Sequence, residues 1–338
     1  MRQRIFLIKG IILSICLTFS FFSCKNVMTN SYKKVPVEWI NELKKYDYNK
    51  KQNHIILEKY EELITPDTLT GTKTHESNES GFVNCIQTNL DEDTHPEIIG
   101  LFGWDADYPE LAIFKQINNS WYLLYRETFH MFYTEPELVI ANNFSKNKIF
   151  YIRWLHERGS GIYCDAYHFY KLINNKVYPC LAVINEARIM GWGLTLNQNV
   201  SSKIVFNSTD SDVIKVHYSY NFFPGSIDDN DSSWDSHEDV SLVKGDNFIN
   251  YYWDKKSNTY LPEKQDWVDG LSIEKIKCFE EFGNDSLFVK AFKNEINNNL
   301  QNGTNDQKYY LKKYMNIVEK GNNKVSESKD KTKIGNTK

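Results

Sequence analysis

The sequence lacks the short motifs that mark the common catalytic and metal centres. It has no CxxC pair, no zinc-type spacing of cysteine and histidine, and no i, i+4 histidine pair. Residues 156–161 (HERGSG) match neither HExxH nor GxSxG, and their Gly-Ser-Gly end predicts a turn between strands. A catalytic triad or dyad assembled from distant residues stays open, although no pattern in the sequence supports one.

An excess of basic charge is also missing. The chain has 40 basic and 44 acidic residues, a net charge of −4. Residues 1–23 hold three of those basic residues and no acidic ones, so the rest of the chain has 37 against 44, a net charge of −7. Nucleic-acid binding calls for a basic face, and this balance argues against a nucleic-acid partner.

Long apolar runs are absent beyond the N-terminus. There, Arg2, Arg4 and Lys9 precede an apolar run of 13 residues, Gly10–Phe22. Such a run suits the apolar core of a signal peptide and is short for a bilayer span, so residues 1–23 are predicted to be a signal peptide and the rest to be soluble.

The run ends in Phe21-Phe22-Ser23-Cys24, which resembles the lipobox of bacterial lipoproteins. The resemblance implies export, acylation of Cys24 (with palmitate, for example) and anchoring to a cell-envelope membrane, with residues 24–36 as anchor and tether. With its abundant Asn and Lys, the whole chain resembles exported lipoproteins of Bacteroidota-type bacteria. An ordinary secreted protein and an uncleaved anchor are the alternatives.

Four cysteines remain after Cys16 and Cys24 are set aside: Cys85, Cys164, Cys180 and Cys278. In an exported chain they can pair in three ways. The alternative is that they are buried free thiols, because cysteine packs well as a small hydrophobic residue.

Glycine and proline are modest in number, whereas aromatic residues make up 14% of the chain, which favours sheet surfaces. Periodicity predicts a helical segment with a loop over 37–80, strands over 81–265, helices over 266–320 and a charged, disordered tail over 321–338. The expected fold is mainly β with flanking helices.

A weak repeat occurs within the strand region. Ile-Asn-Asn turns begin at Ile117 and Ile173, 56 residues apart, and the segment from Asn250 has the same aromatic–turn–aromatic layout. Asn-Asn suits the left-handed conformations of tight hairpins. About three four-stranded antiparallel units follow, either propeller-like or, since three are few to close a ring, an open twisted array.

The sharpest motif is an acidic loop in which oxygen-bearing side chains recur at every second position. Asn89, Asp91, Asp93, the His95 carbonyl and Glu97 form a ligand set that suits calcium. The loop resembles the acidic DxDxDGxxE/D loops of FG-GAP/VCBS-type repeats, with Asn89 and Thr94 replacing an Asp and the Gly. That resemblance implies a calcium clip between two strands. The alternative is a metal-free loop whose carboxylates cap backbone amides.

Exposed aromatic residues are the remaining candidates for ligand binding. Trp192 and Trp234 lie in Gly- or Asp-rich segments and are predicted to be exposed, although core packing is the commoner role of tryptophan. The acidic run Asp228–Asp239 either binds a cation or a basic partner or is simply a solvated loop.

Together these features favour a lipid-anchored, non-enzymatic binding or scaffold module with a glycan or protein partner. One alternative is an exported hydrolase that acts on glycans through paired carboxylates such as Asp105 with Asp107 or Glu135 with Glu137. The other is a purely structural envelope component.

The lipobox makes one prediction about Cys24. The Cys24→Ala variant is expected to lose fatty-acid labelling and to leave the membrane fraction, because it removes the acylated thiol. Metabolic labelling and fractionation measure both effects, with Cys85→Ala as the control that keeps label and membrane. Unchanged labelling of Cys24→Ala would show that the lipobox assignment is wrong.

Overall fold

The computed structural model describes residues 33–45, 59–60, 63–64, 82–91, 93–103, 110–129, 137–141, 149–191, 194–206, 213–227, 237–271 and 285–334. The strands form two antiparallel sheets, which confirms the prediction of a mainly β fold with helices. The chain divides into two compact units, Met1–Asn89 with Asp93–His130 and Leu90–Glu92 with Met131–Lys338.

The first unit contains a five-stranded sheet and helical residues. Its elements are β1 (Lys33–Val35), α1 (Val37–Lys44), β2 (Phe82–Thr88), β3 (Glu97–Gly103), β4 (Glu110–Ile117) and β5 (Ser120–Thr128). The strand order β1-β5-β4-β3-β2 makes β2 to β5 an antiparallel meander, with β1 added beside β5.

An aromatic cluster forms the centre of this unit's core. Tyr60 stacks on Phe102 at 5.2 Å between ring centroids and meets Phe114 edge-on at 5.6 Å. Ile40 and Leu43 of α1 are buried in the same core, as the helical periodicity predicts. Residues 59–60 and 63–64 are also helical, and all but Lys59 are buried. This apolar face holds the helical segment against the sheet.

The second unit contains an eight-stranded meander followed by helices. Each strand pairs with its neighbour in sequence, from β6 through to β13. The elements are β6 (Glu137–Ala141), β7 (Ile149–Gly159), β8 (Ile162–Ile173), β9 (Lys176–Ile189), β10 (Leu196–Phe206), β11 (Val213–Pro224), β12 (Val243–Asp254), β13 (Thr259–Pro262), α2 (Gln265–Leu271), α3 (Asp285–Ala291), α4 (Lys293–Asn302) and α5 (Asn305–Ile334).

The helices cover one face of this sheet, which we call the inner face. Phe222 of β11 lies 4.6 Å from Phe288 and 5.2 Å from Phe292, measured between ring centroids. The sheet also curls. Evidence for this is that the Lys171 ammonium of β8 lies 4.2 Å from the ring centre of Trp253 on β12, although β12 is four strands away in the sheet. The apolar residues of α3 to α5 that are buried in this core are Phe288, Phe292, Ile296, Leu311, Tyr314 and Val318.

Gly303 and Asn305 predict a break between the last two helices, and α4 and α5 are separate in the structure. α4 ends at Asn302, and Thr304 and Gln307 form a reciprocal capping box at the start of α5, each side chain accepting the other residue's N–H. α5 continues to Ile334 and so overlaps residues 321–338, for which the composition predicts disorder. The assignment of those residues as a separate tail stays a prediction.

The cysteines within the described ranges are free thiols. Cys164 and Cys180 are buried, Cys85 is partly buried, and Cys278 lies outside those ranges. For the first three, the free-thiol alternative holds. None of the helices described is long and apolar enough to cross a membrane.

All three predicted turns join adjacent strands. Asn118, Asn119, Asn174 and Asn175 have φ between 49° and 61°, and the turn from β12 to β13 has Asn258 at 55°. Positive φ at both central residues is the signature of the tight type I′ turn. The grouping into three four-stranded units is not confirmed, because the strands form one sheet of five and one of eight.

The asparagine turns lead to a stability prediction. The Asn118→Ala/Asn119→Ala double variant should lower the free energy of unfolding by about 1–2 kcal/mol, because alanine resists positive φ more than asparagine does. Urea unfolding measures the change. The matched Asn118→Gly/Asn119→Gly variant should stay within about 1 kcal/mol of the parent chain, since glycine accepts this conformation. Equal stability of the two variants would contradict the assigned turn.

Candidate functional site

The acidic loop between β2 and β3 brings three of its predicted ligands together. One carboxylate oxygen each from Asp91, Asp93 and Glu97 lies within 4.8 Å of the others. The other two predicted residues shape the loop: the Asn89 side-chain amide donates to the Asp93 carbonyl, and the His95 N–H donates to Asp93 Oδ1 at 2.7 Å. This second contact is the backbone cap expected of a metal-free loop.

A lysine that the sequence pattern did not single out lies among these carboxylates. The Nζ of Lys115, on β4, is 2.7 Å from Asp93 Oδ2 and 2.6 Å from Glu97 Oε1. The Lys115 and Glu97 side chains are 2% and 0% exposed, whereas Asp93 is 41% exposed. The chain's own ammonium group therefore neutralises the buried carboxylate.

This ion pair bears on both the pKa of Asp93 and metal binding. Burial raises the pKa of Asp93, but hydrogen bonds from the Lys115 ammonium and the His95 amide outweigh burial and lower it overall. Calcium prefers six to eight oxygen ligands. A calcium ion at this loop would compete with Lys115 for Asp93 and Glu97, so these residues fit a lysine counterion better than a calcium clip.

A polar groove lies on the outer face of the second unit's sheet, the face opposite the helices. Its volume is about 790 Å³. The strand register places Arg188 opposite Asn199, Asn199 opposite Asn221, and Asn221 opposite Lys244. Because neighbouring strands lie about 4.8 Å apart, this row of four side chains on β9 to β12 spans about 14 Å.

A second row crosses the same four strands, about 7 Å away along them. It consists of Glu186, Ser201, Ser219 and Asp246. The residues between the rows point into the core: Ala187, Val200 and Tyr220 are buried, and a Cβ on Gly245 would lie 2.8 Å from the Tyr220 hydroxyl oxygen. The glycine thus makes room for the tyrosine, and the groove has a packed floor.

Most of the groove's charged groups have partners. Arg188 Nη2 is 2.9 Å from Glu238 Oε1, and Asp246 accepts a hydrogen bond from the Ser219 hydroxyl. Lys244 is exposed and forms no ion pair with any described residue. The centre of the groove is thus neutral and rich in amide and hydroxyl groups.

Two polar atoms in the groove are unsatisfied. The side-chain amide oxygens of Asn199 and Asn221 are shielded from solvent, and no donor among the described residues reaches them. Such an acceptor costs about 1–3 kcal/mol relative to a hydrogen-bonded one. Two such acceptors lie on directly opposed residues. A ligand that donates a hydrogen bond to each oxygen would remove this energetic cost.

Two groove residues, Ser219 and Asp246, lie near His217, which is outside the groove, in an order that does not activate the serine. Asp246 lies between the other two, since Ser219 donates to it and His217 Nε2 is 3.4 Å from it. In a catalytic triad the histidine lies between serine and aspartate and removes the serine proton. Here Ser219 donates directly to a carboxylate, which is a weak base.

The aromatic residues predicted to bind ligand, Trp192 and Trp234, lie outside the described residues, as do Asp105, Asp107, Glu135 and most of the acidic run 228–239. The Glu137 side chain is likewise not described. Among the side chains that the structure describes, the exposed aromatic residues on the outer face are Phe248 and Tyr252, 46% and 48% exposed. The alternation of buried and exposed positions along β12 was the sequence signal that could have predicted their exposure.

Comparison with protein-family models, with curated protein sequences and with solved structures finds no match to this chain.

The buried ion pair predicts the effect of Lys115→Met. This variant should lower the free energy of unfolding by about 3–5 kcal/mol, because it leaves Glu97 as an unpaired buried charge. The Lys115→Met/Glu97→Gln double variant should recover part of the loss, and chemical denaturation measures both. Additive losses would show that the two groups do not interact.

Proposed function

We propose that this chain is a lipid-anchored binding module of the bacterial cell envelope and that the outer-face groove of β9 to β12 is its binding surface. The anchor is inferred from the lipobox at Cys24. The groove's unsatisfied Asn199 and Asn221 amide oxygens carry the binding proposal. An open, twisted β-array presents this surface, and the partner is a glycan or a protein.

The contacts in the groove favour binding over catalysis. Ser219 and Asp246 are already hydrogen-bonded to each other, and His217 stacks on Phe248 with their ring centroids 4.4 Å apart. A binding site requires directional donors and acceptors in a concave surface, which the two rows supply. The neighbouring Phe248 ring is also covered by the Lys215 ammonium at 4.4 Å, so the groove is the better binding surface.

For the acidic loop we propose a structural role, in which Lys115 holds Asp93 and Glu97 together. Calcium is the divalent ion that suits its oxygen ligands, and it would act as a clip only after displacing the lysine. Thermal melting with calcium and with chelator distinguishes the two states. The parent chain should melt at the same temperature in both, whereas Lys115→Met should be stabilised by calcium.

The binding function is tested by filling the groove. Ser201 is exposed in the second row, and a tyrosine there suits a strand while occupying the groove's volume. Ser201→Tyr should lower affinity at least tenfold for whichever ligands the parent chain binds on a glycan and peptide array.

Lys203→Tyr is the matched control, because it places the same side chain two residues further along the same face, outside the groove. It should bind like the parent chain, and both variants should melt at similar temperatures. Equal binding by Ser201→Tyr and the parent chain would place the binding surface elsewhere.

A further inference from the structure

We infer that the groove binds a neutral sugar residue, and that two adjacent hydroxyl groups of the sugar donate to the side-chain oxygens of Asn199 and Asn221. This inference rests on the proposed function, because it names the ligand class of the same groove. It follows from the number of missing donors, their spacing and the charge around them.

The spacing of the two asparagines matches a ligand with two donors side by side. Asn199 and Asn221 are directly opposed on neighbouring strands. Residues so placed have Cβ atoms about 5 Å apart. Both side-chain oxygens lack a donor among the described residues. Two hydroxyl groups on neighbouring carbons of a sugar ring carry one donor each and fit this pair.

The asparagine oxygens are shielded from solvent, and this determines how a ligand can reach them. They are closed to solvent, so a ligand contacts them only when the amide groups turn. The terminal torsion of asparagine has a broad energy profile, so turning it costs little. Once a sugar covers the groove, the hydrogen bonds lie in a shielded site where they are stronger than in water.

Charge argues against ionic ligands. A divalent cation at the asparagine oxygens would be flanked in the same row by Arg188 and Lys244. An inorganic phosphate would meet the carboxylates of Glu186, Glu238 and Asp246, and its oxygens are mainly acceptors rather than the donors that the asparagines lack.

A peptide that adds to the sheet is also disfavoured. Each of the strands β9 to β12 is hydrogen-bonded to a strand on both sides, so the groove offers no free strand edge. An extended peptide that binds by strand addition needs such an edge. A neutral ligand rich in hydroxyl groups satisfies the groove without adding charge or breaking the sheet.

Calorimetric titration of the full chain in detergent tests the inference. The probes are neutral gluco-, galacto-, manno- and xylo-oligosaccharides, their O-methylated counterparts, acidic oligogalacturonates and inorganic phosphate. At least one neutral oligosaccharide should bind, and its O-methylated form should bind at least tenfold more weakly because methylation removes the donors.

The Asn199→Leu/Asn221→Leu variant separates binding from structure. It should lose at least tenfold in affinity for the neutral sugar and should melt at or above the parent's temperature, because it removes two unsatisfied acceptors while keeping similar side-chain volumes. Lys203→Tyr, which changes a residue outside the groove, should bind the sugar within a few fold of the parent chain.

Three results would overturn the inference. Binding of oligogalacturonate or phosphate alone, blocked by Ser201→Tyr, would leave the binding function standing and replace the ligand class. Full sugar affinity in the leucine variant would remove the asparagines from the site. Failure of the parent chain to bind any probe here or any ligand on the array would reject the binding function itself.

Discussion

In the eight-stranded sheet, every strand is hydrogen-bonded to the strand that precedes or follows it in the chain, and this antiparallel register determines which side chains become neighbours. A slip of β10 by one residue against β11 would turn Asn199 into the core and Val200 outward. Burial of the inner face against α2 to α5 prevents that shift. The composition of the outer groove is thus fixed by the packing of the inner face.

The sheet of the first unit contains a buried charge that needs a partner. Glu97 begins β3 and is fully buried, which is costly for a carboxylate unless a cation accompanies it. Lys115 of the adjacent strand supplies that cation and also binds Asp93 in the preceding loop. In a carboxylate cluster that suggests a metal site in the sequence, the protein itself therefore supplies a cation to Asp93 and Glu97.

The parts of this structure that sequence can predict are those governed by local chemistry. Asn118 and Asn119 predict their hairpin because few residues accept positive φ, and Gly303 and Asn305 predict the break after α4. The rest depends on contacts between distant residues. Lys115 follows Glu97 by 18 positions, and the sequence does not show that their side chains meet. The groove draws on four strands whose register is set by tertiary packing.

Strand length tapers from the middle of the large sheet to its edges. β9 has 14 residues, whereas the edge strands β6 and β13 have five and four, and β13 ends in Pro262, which has no N–H to donate. Unpaired strand edges recruit other chains into intermolecular sheets, and short edges with proline suppress that association. For a protein concentrated at a membrane surface, as proposed here, tapered edges favour separate molecules, each with its outer sheet face open to ligand.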